Sequence, residues 1–235
     1  MVAFGPLLNA SRAAHNLHHR ALKPNLQEKT MTTIPRRALI VIDVQNEYFT
    51  GKMRIEYPPV QTSLPNIGLA MDAAREAGIP VVLVQHDAPE QSPIFAKGSD
   101  GWQLHPSVAQ RAHDLHINKS KASAFAGTGL AAWLEQNAID TLTIAGYMTH
   151  NCNASTIFDA AHMGLQVEVL DDATGALSYE NAAGKASAEE IHRVFNTVVH
   201  SNFGAVVATE AWLAAVRDGV ALERDNIYLS HQRTC

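Results

Sequence analysis

The chain has 235 residues, enough for one domain of ordinary size, and a hydrophobic fraction of 46% supports a packed core. A formal net charge of -5 with no basic run speaks against a nucleic-acid partner, and no apolar run reaches the ~20 residues needed to span a membrane. Only two cysteines occur, Cys152 and Cys235, too few for a disulfide framework, so the sequence is expected to be that of a cytoplasmic protein in a reducing setting.

Residues 1 to 30 stand apart, with Arg12, Arg20, Lys23, Lys29 and three histidines (His15, His18, His19) against one acid, Glu28. No continuous apolar run follows, which argues against a secretory signal. The acid-poor pattern is shared with organelle transit peptides, whereas Met31-Thr-Thr just before the first strand fits an upstream extension. Lacking hydrophobic periodicity, the segment is expected to be a disordered extension of a domain spanning 31–235.

From Ala38 the pattern is regular. Ala38 to Val44, ALIVIDV, is apolar except for Asp43, as expected of a strand covered on both faces. A helix is predicted from about Ser63, with Pro65 in its first turn and Gly78 at its end, and Pro80 opens the strand VVLVQ. Asp87 to Pro106 contains Pro89, Pro93, Gly98 and Gly101 and must be a long loop, a type that is usually functional or mobile. Leu115 to Lys119 makes strand three, Gly127 to Asn137 a helix, and Thr141 to Ala145 strand four. Val167 to Leu170 is strand five, ending at Asp171-Asp172. Ser187 to Glu190 reads as a capping box opening a helix to about Val199, and Phe203 to Ala208 and Glu210 to Val216 are the last strand and helix. The tail from Asp218 has no periodicity. Strands alternating with helices predict an α/β, Rossmann-like, three-layer sandwich in one domain, around a six-stranded parallel sheet with right-handed crossovers.

Thr141 to Ala160, TLTIAGYMTHNCNASTIFDA, reads as strand, sharp turn and helix, which puts Cys152 in a first helical turn. Unpaired N–H groups and the positive end of the macrodipole favour a thiolate there, although a small buried apolar cysteine is an equal alternative. In open parallel sheets ligands bind beyond the carboxyl ends of the strands. Strand one ends at Asp43, strand three at Lys119, and strand four leads into Cys152. Each has a plain alternative, as turn cap, solvated strand end or core thiol. An acid within an apolar run is costly unless paired, however, and Lys119 is its natural partner.

These residues carry a resemblance to the isochorismatase-like cysteine hydrolase family, which includes nicotinamidases, N-carbamoylsarcosine amidases and isochorismatases. Ala38 to Phe49, ALIVIDVQNEYF, is similar to its catalytic Asp motif; Lys119 to Leu130, KSKASAFAGTGL, to its Lys motif; and Gly146 to Cys152, GYMTHNC, to its nucleophile turn. Ala154 to Gly164 and Asp171-Asp172-Ala173 resemble the family's next helix and its acidic turn. The resemblance implies catalytic roles for Asp43, Lys119 and Cys152, a non-proline cis peptide between Tyr147 and Met148, and an oxyanion hole from the backbone N–H groups of Met148 and Cys152. It implies a small-molecule amide substrate cleaved through a Cys152 thioester, with no cofactor, and a homodimer or homotetramer. Tyr48, Trp102, Phe125 and His150 are expected to line the pocket, each with core or surface packing as its alternative. Family members lacking the cysteine hydrolyse a vinyl ether with the Asp alone, and a catalytically silent binding protein is a third class on such a fold.

Some positions depart from the family pattern. Metal-dependent nicotinamidases carry Asp-x-His after strand two; here Val84 to Gln91 reads VQHDAPEQ, so the motif is missing. No metal is expected, although His86 and His105 remain candidate ligands. Asn153 stands where the family often has Val. Gly127 to Ala132 fits GxGxxA formally, but it follows no strand immediately and lacks the acid about 20 residues on that a dinucleotide site requires.

Overall fold

The computed structural model describes residues 34–234. The expected extension, residues 1–30, lies outside the described residues. Six strands form the sheet: β1 (Arg37–Ile42), β2 (Val81–His86), β3 (Leu115–Lys119), β4 (Thr141–Tyr147), β5 (Gln166–Gly175) and β8 (Ala205–Val207). Every pairing is parallel and the order is β3-β2-β1-β4-β5-β8. The chain moves outward from β1 through β2 to β3, then returns to place β4 on the other side of β1. That reversal between β1 and β4 is the topological switch point, where such sheets bind ligands.

β1 is buried at every position because both of its faces are covered. Leu39 and Val41 pack with Ile67, Ala70 and Met71 of α1 (Val60–Glu76) and Trp212 of α6 (Thr209–Asp218). Ala38, Ile40 and Ile42 point the other way, against α3 (Leu130–Gln136), α4 (Ala154–His162) and α5 (Ala188–Asn202). This alternation makes three layers from one strand period. A buried ion pair crosses the sheet: Arg37 meets Glu168 at 2.8 Å, and the Trp212 indole N–H donates to Glu168 and to Thr143, fixing α6. The remaining elements are α2 (Pro106–Ala109), the antiparallel hairpin β6 (Tyr179–Asn181) and β7 (Gly184–Ala186), and α7 (Ile227–Gln232).

Several boundaries differ from expectation. α1 begins at Val60, directly after Pro58-Pro59, so Pro65 lies inside it rather than in its first turn. α3 starts at Leu130, because Gly127 adopts a positive φ that a helix does not allow. β5 runs five residues past Leu170, since a register shift opposite Ile144–Gly146 lets pairing resume at Thr174. The final helix and strand are close to their expected limits, and the capping box at Ser187 and Glu190 is formed. The unassigned tail contains α7, whose first turn is capped by Asn226.

The long loop after β2 is strapped down by buried Gln45. Its side-chain amide donates to the carbonyls of His86 and Trp102, and its carbonyl oxygen accepts from His86 N–H. Trp102 donates its indole N–H to Asp87 at 2.7 Å, and Asp87 also accepts from Asn118 and Lys97.

Candidate active site

Asp43 comes directly after β1 and takes φ 51°, a left-handed conformation that Asp and Asn tolerate better than most side chains. The neighbouring strand makes room for this bend only with glycine. A Cβ on Gly146 would come within 2.1 Å of the Ile42 carbonyl oxygen. Gly146 is followed by the cis Tyr147–Met148 peptide and then by a π-helical turn, Thr149–Asn153, that carries Cys152 into α4.

Lys119, at the end of β3, connects the two sides. Its Nζ donates to Asp43 Oδ2 at 2.7 Å, to Cys152 Sγ at 3.3 Å and to the Lys121 carbonyl at 3.1 Å. The lysine and aspartate side chains are both fully buried, and Cys152 is 6% exposed. Asp43 Oδ1 is buried without a hydrogen-bond partner among the described residues. In so dry a site, burial raises the Asp43 carboxyl above the usual range, while the Lys119 ammonium pulls it back. Burial opposes the lysine's charge, but Asp43 and Cys152 together outweigh it and hold Lys119 protonated.

The thiol does not match the expectation drawn from a helix N-terminus. Burial, reinforced by the Asp43 carboxylate, pushes Cys152 up to about 12 against the pull of Lys119. Cys152 also precedes α4, in the π turn, rather than lying in the first α-helical turn. At rest Lys119 is therefore charged and Cys152 is a thiol.

Side chains of the turn and of the helix after it brace its backbone. Asn153 Nδ2 donates to the Gly146 carbonyl at 2.8 Å, a bond that Val at this position would not make. Thr156 Oγ1 donates to the Cys152 carbonyl and accepts from Ala124 N–H, joining the turn to the loop after Lys119. The backbone N–H groups of Met148 and Cys152 belong to the same buried segment.

The expected pocket residues divide. Tyr48 is buried against Phe95 and Tyr147, and its phenol, raised chiefly by burial, also feels the charges of Cys152 and Asp43. Phe125 shares a core cluster with Cys152. His150 stacks edge-on against Tyr179 at 4.9 Å, with both ring nitrogens buried and unpartnered among the described residues, and burial lowers it to about 4. Trp102 makes no hydrogen bond or ring contact with this cluster among the described residues; its polar contacts serve the loop, the plainer of its two readings. Nor do His86 and His105 form a ligand set. His105 Nδ1 caps α2, His86 packs on Phe95, and no metal-binding group of three His, Cys, Asp or Glu occurs among the described residues. Tyr179 does not stand out in the sequence. It lies in a polar stretch without periodicity, yet Cys152 helps raise its phenol after burial. His192 gives no sequence signal either.

An isochorismatase domain is recognised over residues 37–211. The chain belongs to the isochorismatase family. Within it, a crystal structure from Burkholderia xenovorans LB400 assigned to the isochorismatases is 63% identical, with a TM-score of 0.85 over 86% of this chain and 97% of that one. A secreted isochorismatase effector of Verticillium dahliae is 30% identical over 69% of this chain and 87% of its own length. N-carbamoylsarcosine amidase from Arthrobacter is 30% identical over 56% of each. The family is hydrolytic and includes amidases. No helix among the described residues is long and apolar enough to cross a membrane.

Proposed function

We propose that this isochorismatase-family hydrolase is a cysteine amidohydrolase that cleaves a non-peptide C–N bond of a small uncharged amide. The reading rests on one observation: a single ammonium, Lys119 Nζ, hydrogen-bonds both a buried carboxylate and a buried thiol at the switch point. Because the thiol is neutral at rest, Asp43 must take its proton as the sulfur attacks the carbonyl. Lys119 neutralises the charge passing between the two groups without giving up its own proton. The N–H groups of Met148 and Cys152 receive the oxyanion of the tetrahedral intermediate. Asp43 then protonates the departing nitrogen, leaving a thioester and free ammonia or amine. Water, deprotonated by Asp43, attacks the thioester; the acid leaves and Cys152 regains its proton.

His150 supports the substrate class. Neutral, with one donor and one acceptor nitrogen both unserved among the described residues, it can bind a polar uncharged group beside the ring of Tyr179. The raised Asp43 carboxyl favours a second reading, since a carboxyl that retains a proton is what vinyl-ether hydrolysis requires of an acid. The experiment that separates them is an ammonia-release screen over small carboxamides, carbamoyl compounds and lactams, run with Cys152→Ala. Loss of turnover by several orders of magnitude in that variant is expected for the amidase. Retained turnover transfers the chemistry to Asp43.

A further inference from the structure

His192, on α5, is a buried ionisable side chain with no part in the proposed reaction; it is 6% exposed. Its ring lies against the nucleophile turn. Nδ1 is 2.9 Å from Thr149 Oγ1, and Nε2 is 3.0 Å from Asn196 Nδ2. The Asn196 NH2 faces Nε2, which makes Nε2 the acceptor; Nδ1 then carries the proton and gives it to the Thr149 hydroxyl, with the Asp171 carbonyl also bonding the ring. The Tyr57 ring meets the imidazole edge-on at 5.6 Å and limits its rotation. Burial lowers His192 to about 4, so the ring is neutral and this tautomer persists through the working pH range.

Thr149 opens the π turn and Cys152 lies three residues further on. The far end is tied by Asn153 to Gly146; the near end has His192 as its side-chain tie. Single π-helical turns are rare, and this one carries a side-chain tie at each end. The two proposed oxyanion donors, Met148 and Cys152, flank Thr149 on either side. We infer that His192 is a positioning residue: its Nδ1–H holds Thr149 and thereby sets where the Cys152 sulfur and the oxyanion donors sit. This rests on the reading of Cys152 as nucleophile.

Two amide substitutions separate this role from simple packing. Asn places its NH2 where Nδ1 stood, so His192→Asn keeps the donor to Thr149. His192→Gln places its amide near Nε2, keeping the Asn196 contact and losing Thr149. Both should fold, because one side of His192 and Asn196 borders a groove of about 730 Å³ that accommodates the change. Amide exchange over residues 147–156 reads the turn directly, and steady-state kinetics on the amide found by the screen read its consequence. His192→Gln should exchange faster across that segment and lose ~10–100-fold in kcat with KM nearly unchanged, the scale expected of a small misplacement. His192→Asn should stay within about threefold of the wild type by the same reasoning. Equal impairment of the two variants, or identical exchange in all three proteins, overturns the proposal. If Cys152→Ala keeps its turnover, the nucleophile reading fails by itself, and the exchange data alone then decide whether His192 holds the turn.

Discussion

Replacing Lys119 by Met keeps much of the side-chain volume and removes the ammonium paired with Asp43 in a site where both side chains are fully buried. A carboxylate left alone in such a place costs ~3–5 kcal/mol. Asp43 can escape by taking up a proton. At pH 7 that uptake costs about 4 kcal/mol, because neutral pH lies about three units above an ordinary carboxylate pKa. The loss is therefore capped near ~4 kcal/mol at pH 7 and shrinks to ~1.5 kcal/mol at pH 5. The direction of the shift gives the sign. A carboxyl raised in the fold contributes fully below its unfolded pKa of about 3.9, and that contribution is lost as pH rises toward the folded value. Denaturant titrations of wild type and Lys119→Met at pH 5, 6 and 7 should show a stability gap that widens with pH. Adding Asp43→Asn should abolish the widening without restoring turnover. A gap of constant size, or near-normal ammonia release by Lys119→Met, would refute the reasoning.

Asp43→Asn alone should fold, since Asn accepts the left-handed backbone at this position, yet it should turn over at least a thousandfold more slowly and accumulate a covalent adduct visible by intact-protein mass. Alkylation of Cys152 by iodoacetamide should be slow at pH 7 and rise about tenfold per pH unit up to at least pH 10, with Cys152→Ala supplying the background; a plateau near neutrality would contradict a thiol pushed up to about 12. His150 and His192, both lowered to about 4, refuse in the fold a proton that the unfolded chain takes below about 6.5. Stability should thus rise with pH between those limits, by about 1.4 kcal/mol per unit for each group, and fall away on acidification. His150→Phe should flatten that slope and weaken substrate binding; an unchanged slope in the thermal midpoints from pH 4 to 7 would count against it.

β1 was legible because a strand covered on both faces has to be apolar throughout, and Asp43 stood out as the exception in that run. Lys119 and Cys152 were legible through topology, since parallel strands deliver their carboxyl ends to one edge. The protonation of Cys152 was not. It depends on how deeply the thiol is buried and how close Asp43 lies, neither of which helix position reveals. Tyr179 and His192 escaped for a related reason. Each reaches the turn that carries Cys152 across a tertiary contact, from a short polar hairpin and from a helix whose periodicity speaks only of its own packing. β5 was cut short because Asp171-Asp172 has a loop-like composition, whereas the register shift lets the ladder pass through it.

β3 occupies one margin of the sheet, paired along a single side to β2, while Asp43 and Cys152 are attached to the two central strands. Marginal strands fray first, at a free energy well below that of global unfolding. The ammonium that bonds both Asp43 and Cys152 is thus mounted on an edge strand of the sheet. Each such opening would disconnect Lys119 while leaving the core around β1 and Trp212 closed. If Lys119 serves both groups, loss of turnover on heating is expected to run ahead of loss of the core, because the five residues of β3 can open without it.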